Sequence, residues 1–194
     1  MTEDTSRSER PHFTGLLERA EQVGRWVWVE RRVFEVFGRW AGSCGDDVLD
    51  SFFADMSRRH GWHAEVLADR LPELTVVRIH DLVAPGSPET EEWFDLFEGD
   101  AETSGAIERA VSAYRVLLPM LVESYRDASG SMSPVAEPSL IRWTGIILAD
   151  DIEEWEAGEE VVRSLLVDAG AVDEAKQCQQ ALELAAAGIS APIR

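Results

Sequence analysis

Apolar residues recur along this chain at steps of three and four, the spacing of one face of an α-helix, in four long stretches. The first seam reads Ala20, Val23, Val27, Glu30, Phe34, Phe37, Ala41, and the second Leu49, Phe53, Met56, His60, His63, Leu67. The third reads Ile107, Val111, Tyr114, Leu118, Leu121, Tyr125, Ala128, and the fourth Ile141, Gly145, Leu148, Ile152, Trp155, Glu159, Val162, Leu166. No stretch alternates with the period of two that a half-buried strand shows. The pattern predicts an all-α protein. Its long helices span about 14–41, 46–70, 101–129 and 137–168, and an amphipathic helix follows over about 172–187. Gly42, Ser43 and Gly45 stop the first helix, Leu71–Pro72 the second, Gly130 the third and Gly170 the fourth.

The connections predict the topology. The first two helices are joined by a tight turn, as are the third and fourth, so each pair is expected to be antiparallel. Residues 72–100 link the two pairs, with Pro85, Gly86, Ser87 and Pro88 as punctuation and a short helix over 89–97. A connection of that length fits a crossover running along a four-helix bundle. The expected organisation is a disordered leader over 1–11, the bundle over 12–170, and a C-terminal helix and tail over 171–194.

Two seams carry a polar interruption. Glu30 sits where the first helix should bury an apolar side chain, and His60 with His63 where the second should. A buried acid is costly unless it is paired, metal-bound or protonated. At about 100° per residue, Asp151 lies on the flank of the fourth stripe, about 60° from Leu148. Asp150 and Glu153 point outward, and Glu154 lies about 120° from Leu148. Counting residues from the turns places Glu30, His60, His63, Tyr114 and Asp151 in one mid-bundle layer, with Glu159 on the same face nearer one end. Candidate catalytic residues are therefore His60, His63, Glu30 and Asp151. Candidate substrate contacts are Tyr114, Trp155, Tyr125 and Glu159. Glu30, His60 and His63 form a two-histidine, one-carboxylate set that suits a single iron or other divalent metal. Without a metal, the same groups form an acid/base cluster.

Composition narrows the partners. The chain has 194 residues, 45% of them hydrophobic, enough for one well-buried domain. With 37 acidic against 18 basic residues its net charge is −19, a field that repels nucleic acid and anionic membrane surfaces. Cys44 and Cys178 are far apart and show no CxxC spacing, so a reducing cytoplasm is expected. No secretory leader and no membrane-spanning run is read. Trp26 and Trp62, together with the stripe Ala175, Cys178, Ala181, Leu182, Ala185 on the last helix, predict a homodimer.

The segment His60-Gly61-Trp62-His63-Ala64-Glu65, taken with Asp151-Ile152-Glu153-Glu154-Trp155, resembles small ferritin-like proteins of actinobacteria. The resemblance spans about Thr14–Asp168. It implies a ferritin-like bundle in which Glu30 takes the first Glu position and His60-x-x-His63 takes that of Glu-x-x-His. Tyr114 or Leu118 stands where a bridging Glu would be, and Asp151-x-x-Glu154 where the second Glu-x-x-His would be. This ligand set implies at most one metal, in place of a di-iron centre. The implied function is an enzyme of specialised metabolism or biosynthesis acting on a small organic substrate, as an oxidoreductase or by metal-free acid/base catalysis. The alternative is a non-catalytic binding or accessory protein on the same scaffold.

Overall fold

The computed structural model describes residues 15–73, 75, 77–99, 105–187 and 189; the expected leader over 1–11 lies outside them. Among the described residues the chain is all-helical, without strands. Helix α1 is Leu16–Trp40, α2 Asp47–Ala68, α3 the short Ile79–Leu82, and α4 Pro88–Gly99. Helix α5 continues through three stretches, Ala106–Val111, Ser112–Leu117 and Leu118–Ser129; α6 is Pro138–Leu165 and α7 Ala169–Ala186.

Local chemistry sets these boundaries. Gly42 and Gly45 adopt φ of 82° and 72° in the α1–α2 turn, a conformation that suits residues without a Cβ. The Asp46 carboxylate then caps α2 by accepting from the backbone N–H groups of Val48 and Leu49. Asp168 caps α7 in the same way through Ala171. The middle stretch of α5 is a π-helix: Leu118 donates to the carbonyl of Ala113, five residues back, and the following Pro119 has no N–H to donate.

Side-chain contacts fix the directions of the long helices. Glu30 meets His60, Phe34 meets Ser57 and Phe37 meets Phe53, so α1 and α2 are antiparallel. Arg19 meets Ser131 and Trp26 meets Ser124, so α1 is also antiparallel to α5. Arg59 meets Glu154 and Arg70 meets Trp143, which makes α2 and α6 antiparallel. Helices α2 and α5 therefore run the same way, as the long connection required. That connection lies along α1: Leu82 packs at Gly24, Phe94 at Trp28, Asp95 at Arg32 and Phe97 at Trp40. A Cβ on Gly24 would overlap the Leu82 carbonyl, so the crossover can approach only because that residue is glycine.

The interior is two apolar clusters separated by a polar layer. One gathers Phe37, Phe53, Met56, Tyr114, Leu117 and Val162; the other Val23, Trp26, Val27, Leu67, Tyr125 and Ile147. Between Val27 and Val29 on one side and Val33 on the other, α1 buries Glu30; between Met56 and Leu67, α2 buries His60 and His63; between Ile147 and Val162, α6 buries Asp151 and Glu154.

Two expectations on the helix faces are corrected. The buried face of α6 is Leu140, Thr144, Ile147, Asp151, Glu154, Gly158, Val162, rotated by one residue from the apolar stripe read in the sequence. Four of those seven positions are polar or glycine, so the half-buried flank of Leu148, Ile152 and Trp155 gave the stronger hydrophobic signal. On α1, Phe34 is 45% exposed, and Val33 and Val36 are buried in its place. The C-terminal helix also differs: Ala175 and Ala186 are buried in the core, and Trp93 of α4 donates to the Leu182 carbonyl. Trp26 is likewise a core residue, its indole donating to Ser124 at 3.1 Å.

The Tyr114 ring lies on Gly158, where any Cβ would overlap it. Gly158→Ala is expected to destabilise the protein by about 1–3 kcal/mol through overpacking. Thermal unfolding checks this, and Tyr114→Leu in the same background should recover part of the loss.

Candidate functional site

Five ionisable side chains from three helices meet in the polar layer: Glu30 of α1, His60 and His63 of α2, and Asp151 and Glu154 of α6. All five are buried; Glu154 alone retains some exposure, at 8%. Glu30 is fully engaged. Its Oε2 accepts from His60 Nδ1 at 2.6 Å, and its Oε1 accepts from the Tyr125 hydroxyl at 2.5 Å. The second histidine has an outer partner too, with His63 Nε2 lying 3.2 Å from Asp150 Oδ2.

The remaining atoms face one another without hydrogen-bond partners. They are His60 Nε2, His63 Nδ1, both carboxylate oxygens of Asp151, and Glu154 Oε2. His60 Nε2 is 3.4 Å from Glu154 Oε2, and His63 Nδ1 is 3.7 Å from Asp151 Oδ1 and 3.5 Å from Glu30 Oε2. Two groups of ligand atoms can each hold a metal ion: Glu30 with His60 and His63, and His60 with Asp151 and Glu154, every pair within 4.8 Å. Buried polar atoms are satisfied in most proteins, and here the unpartnered atoms of the layer are all of types that could ligate an ion.

Electrostatics follow from burial and pairing. Burial alone would raise the Glu30 carboxyl, but the charge and hydrogen bond of His60, with the His63 imidazole nearby, hold it well below the ordinary carboxylate range. Burial disfavours charge on His60 and His63; against it, the nearby Glu30 carboxylate raises both imidazoles above their usual value. Asp151 has no donor to offset its desolvation, and with Glu30 nearby its carboxyl is pushed up to about 8. Burial, with Glu30 beside it, raises the Tyr125 phenol well above its usual value, so it remains a donor at neutral pH.

The structure therefore brings together Glu30, His60, His63 and Asp151, as the helical phases required. Tyr125 joins them through Glu30. Tyr114 does not: its hydroxyl donates to Met56 Sδ at 3.1 Å, on the apolar side of the layer. Glu159 does not either; it pairs with Arg115 at 2.9 Å and with Arg163 at 3.4 Å. Trp155 lies beside it in an open groove of about 750 Å³ between α5, α6 and α7, away from the polar layer. Glu154, expected to point away from the interior, is a member of the cluster, and Asp150, expected in solvent, touches His63. Both corrections follow from the rotated phase of α6. The signal that would have found Glu154 was the spacing Asp151-x-x-Glu154, which puts two acids on one helix face whichever residue is taken as innermost.

Compared with family models, with characterised proteins and with solved structures, the chain has no significant match. Among the described residues no helix is long and apolar enough to cross a membrane.

The sign of the pH response follows from Asp151. An acid whose folded value is raised contributes stability that is complete below its unfolded value and is lost as pH rises through the folded one. With an unfolded value of about 3.9, the window runs up to about 8. Within it, each pH unit costs the ion-free folded state at most about 1.4 kcal/mol. His60 and His63, also raised, lose their contribution in the same direction, but in both of the proteins to be compared. In chelator, Asp151→Asn should therefore gain in melting temperature over wild type steadily from about pH 5 to about pH 8. A difference that stays flat with pH contradicts the assignment.

Proposed function

We propose that this chain is a ferritin-like four-helix bundle whose polar layer binds one divalent metal and acts on a small organic substrate. The observation that carries this reading is the set of unpartnered ligand atoms on His60, Asp151 and Glu154. The helix directions and the crossover along α1 support the bundle assignment. In the proposed site, His60 Nε2, Asp151 and Glu154 are the ligands, with His63 Nδ1 beside Asp151. Glu30 then serves as the outer carboxylate that accepts the hydrogen bond from His60 Nδ1, fixes the tautomer and raises the basicity of Nε2. This differs from the set Glu30, His60, His63 expected from sequence, because both oxygens of Glu30 are already occupied by Tyr125 and His60.

An ion held there would supply Lewis acidity or, as iron, redox chemistry at a substrate oxygen. The chain itself holds the tautomers, excludes water with the apolar clusters on both sides, and keeps a proton on Tyr125 next to Glu30. A metal-free reading rests on the full burial of Asp151 with neither oxygen hydrogen-bonded, which pushes its carboxyl up and suits a general acid/base. We further propose a homodimer through the α1–α2 face, where Phe34 and Trp62 are 45% and 40% exposed.

Metal-free protein incubated with Fe(II), Co(II) or Zn(II) and then desalted should retain one ion per chain by elemental analysis. His60→Ala and Asp151→Asn should each reduce retention at least tenfold, roughly the 10–100-fold that ligand-shell changes cost. Glu30→Gln should weaken it less, since it acts through His60. Wild type that retains no ion overturns the metal reading, and two tightly held ions per chain overturn the mononuclear one. Light scattering should give twice the 21.6 kDa chain mass, and Trp62→Glu should halve it.

A further inference from the structure

Helix α2 carries a second seam besides the one that faces the polar layer. Ala54, Arg58, Gly61 and Glu65 follow one another at steps of four, three and four, the spacing with which one helix packs along another. None of the four is buried, and all of them line a groove of about 670 Å³ on the α1–α2 face. The exposed rings of Phe34 and Trp62 line it too. Phe34 leans on Gly61, where a Cβ would come within 3.1 Å of its ring. The seam therefore offers two apolar rings beside a position with no side chain, and one charge of each sign on either side of that position.

We propose that a second copy of this chain occupies the groove. Its α2 crosses this one antiparallel between Gly61 and Trp62, and Arg58 of each copy pairs with Glu65 of the partner subunit. The contact rests on the homodimer proposed above and specifies how it is made. The order of the charges selects this arrangement. About a two-fold axis perpendicular to α2 between residues 61 and 62, residue 58 faces residue 65, because the two stand equally far from the axis. A two-fold axis parallel to α2 would set Arg58 against Arg58 and Glu65 against Glu65, and juxtaposed like charges are costly. A helix of unrelated sequence would need its own acid and base in the reverse order; a second copy has them by construction.

The net charge of −19 opposes self-association, but charges more than about 8 Å apart are largely screened at physiological ionic strength. The charged residues that line the groove are Arg31 and Arg58 against Glu65, so its local charge is opposite in sign to that of the whole molecule. Arg58 is available for the contact. It lies 3.2 Å from Asp55, but these side chains are 78% and 68% exposed, and such surface pairs are worth little. Trp62, covered in this pairing, has its ring 5.5 Å from that of His63, so the contact is built on the helix that supplies both imidazoles.

Sedimentation equilibrium over a concentration series reads the dimer constant, with circular dichroism confirming the fold of each variant. Arg58→Glu and Glu65→Arg should each weaken the dimer about tenfold or more, since either reversal sets like charges together at both symmetric contacts. The double variant, in which the two charges are exchanged, should recover most of that loss. Mixed one to one, the two single variants should pair with each other more tightly than either does with itself. Wild type at twice 21.6 kDa with an unchanged constant in both single variants overturns the α2 pairing and leaves the homodimer standing. A double variant as weak as the single ones overturns the pairing as well. Wild type that stays at the mass of one chain at every concentration overturns the homodimer and the pairing together.

Discussion

The buried contact between Glu30 and His60 is the constraint on which the rest of the interior depends. Taking an ionised carboxylate and an imidazolium out of water costs several kcal/mol each, and only close, fully bonded geometry compensates. That geometry requires three helices at once. Helix α1 supplies Glu30, α2 supplies His60, and α5 supplies the Tyr125 hydroxyl that occupies the other carboxylate oxygen. A rotation of α1 or α2 leaves a charge buried without a partner, and a rotation of α5 leaves one Glu30 oxygen without a donor. The polar layer therefore specifies register among helices whose flanking apolar clusters would tolerate several packings.

Each imidazole is anchored on one side and open on the other. His60 is tied through Nδ1 to Glu30, and His63 through Nε2 to Asp150. The free nitrogens lie on the Asp151–Glu154 side. Such an arrangement is how metal-binding histidines are usually prepared, with an outer carboxylate selecting the tautomer. It also explains why the layer is asymmetric. Carboxylates that orient lie outside the gap, Glu30 on α1 and the partly exposed Asp150 at the Nε2 end of the His63 ring, and carboxylates with empty lone pairs lie inside it.

Most of the fold was legible because the seams on α2 and α5 keep a helical period over many turns and the connections differ sharply in length. Glu30, His60 and His63 were legible for the same reason: a charge within an otherwise apolar seam has only one place to go. The fourth long helix was misread because its inner face is the functional one. Thr144, Asp151, Glu154 and Gly158 occupy positions where hydrophobicity would have marked the core, and Trp155 and Ile152 on the flank marked it instead. Tyr114 and Tyr125 share one seam, and nothing in their spacing shows which ring reaches the carboxylate. That depends on Gly158, which gives the Tyr114 ring a place away from the polar layer.

The π-turn at Ser112–Leu117 has a consequence for how the chain tolerates insertion and deletion. A widened turn holds one more residue than a regular helix of the same rise, and one residue is worth about 100° of rotation. Tyr114 and Tyr125 lie within and beyond that turn, so the widening takes up the rotation that the extra residue would otherwise pass on to Tyr125. Removal of a single residue between Ser112 and Leu117 would relax the backbone toward ideal helix, the cheaper local conformation. Because the widened turn has absorbed that residue, everything after it would keep its angle about the axis, and Tyr125 would stay on Glu30. The irregular turn thus acts as a phase adjuster, a local backbone defect that takes up one residue and leaves a distant hydroxyl aimed at a buried charge.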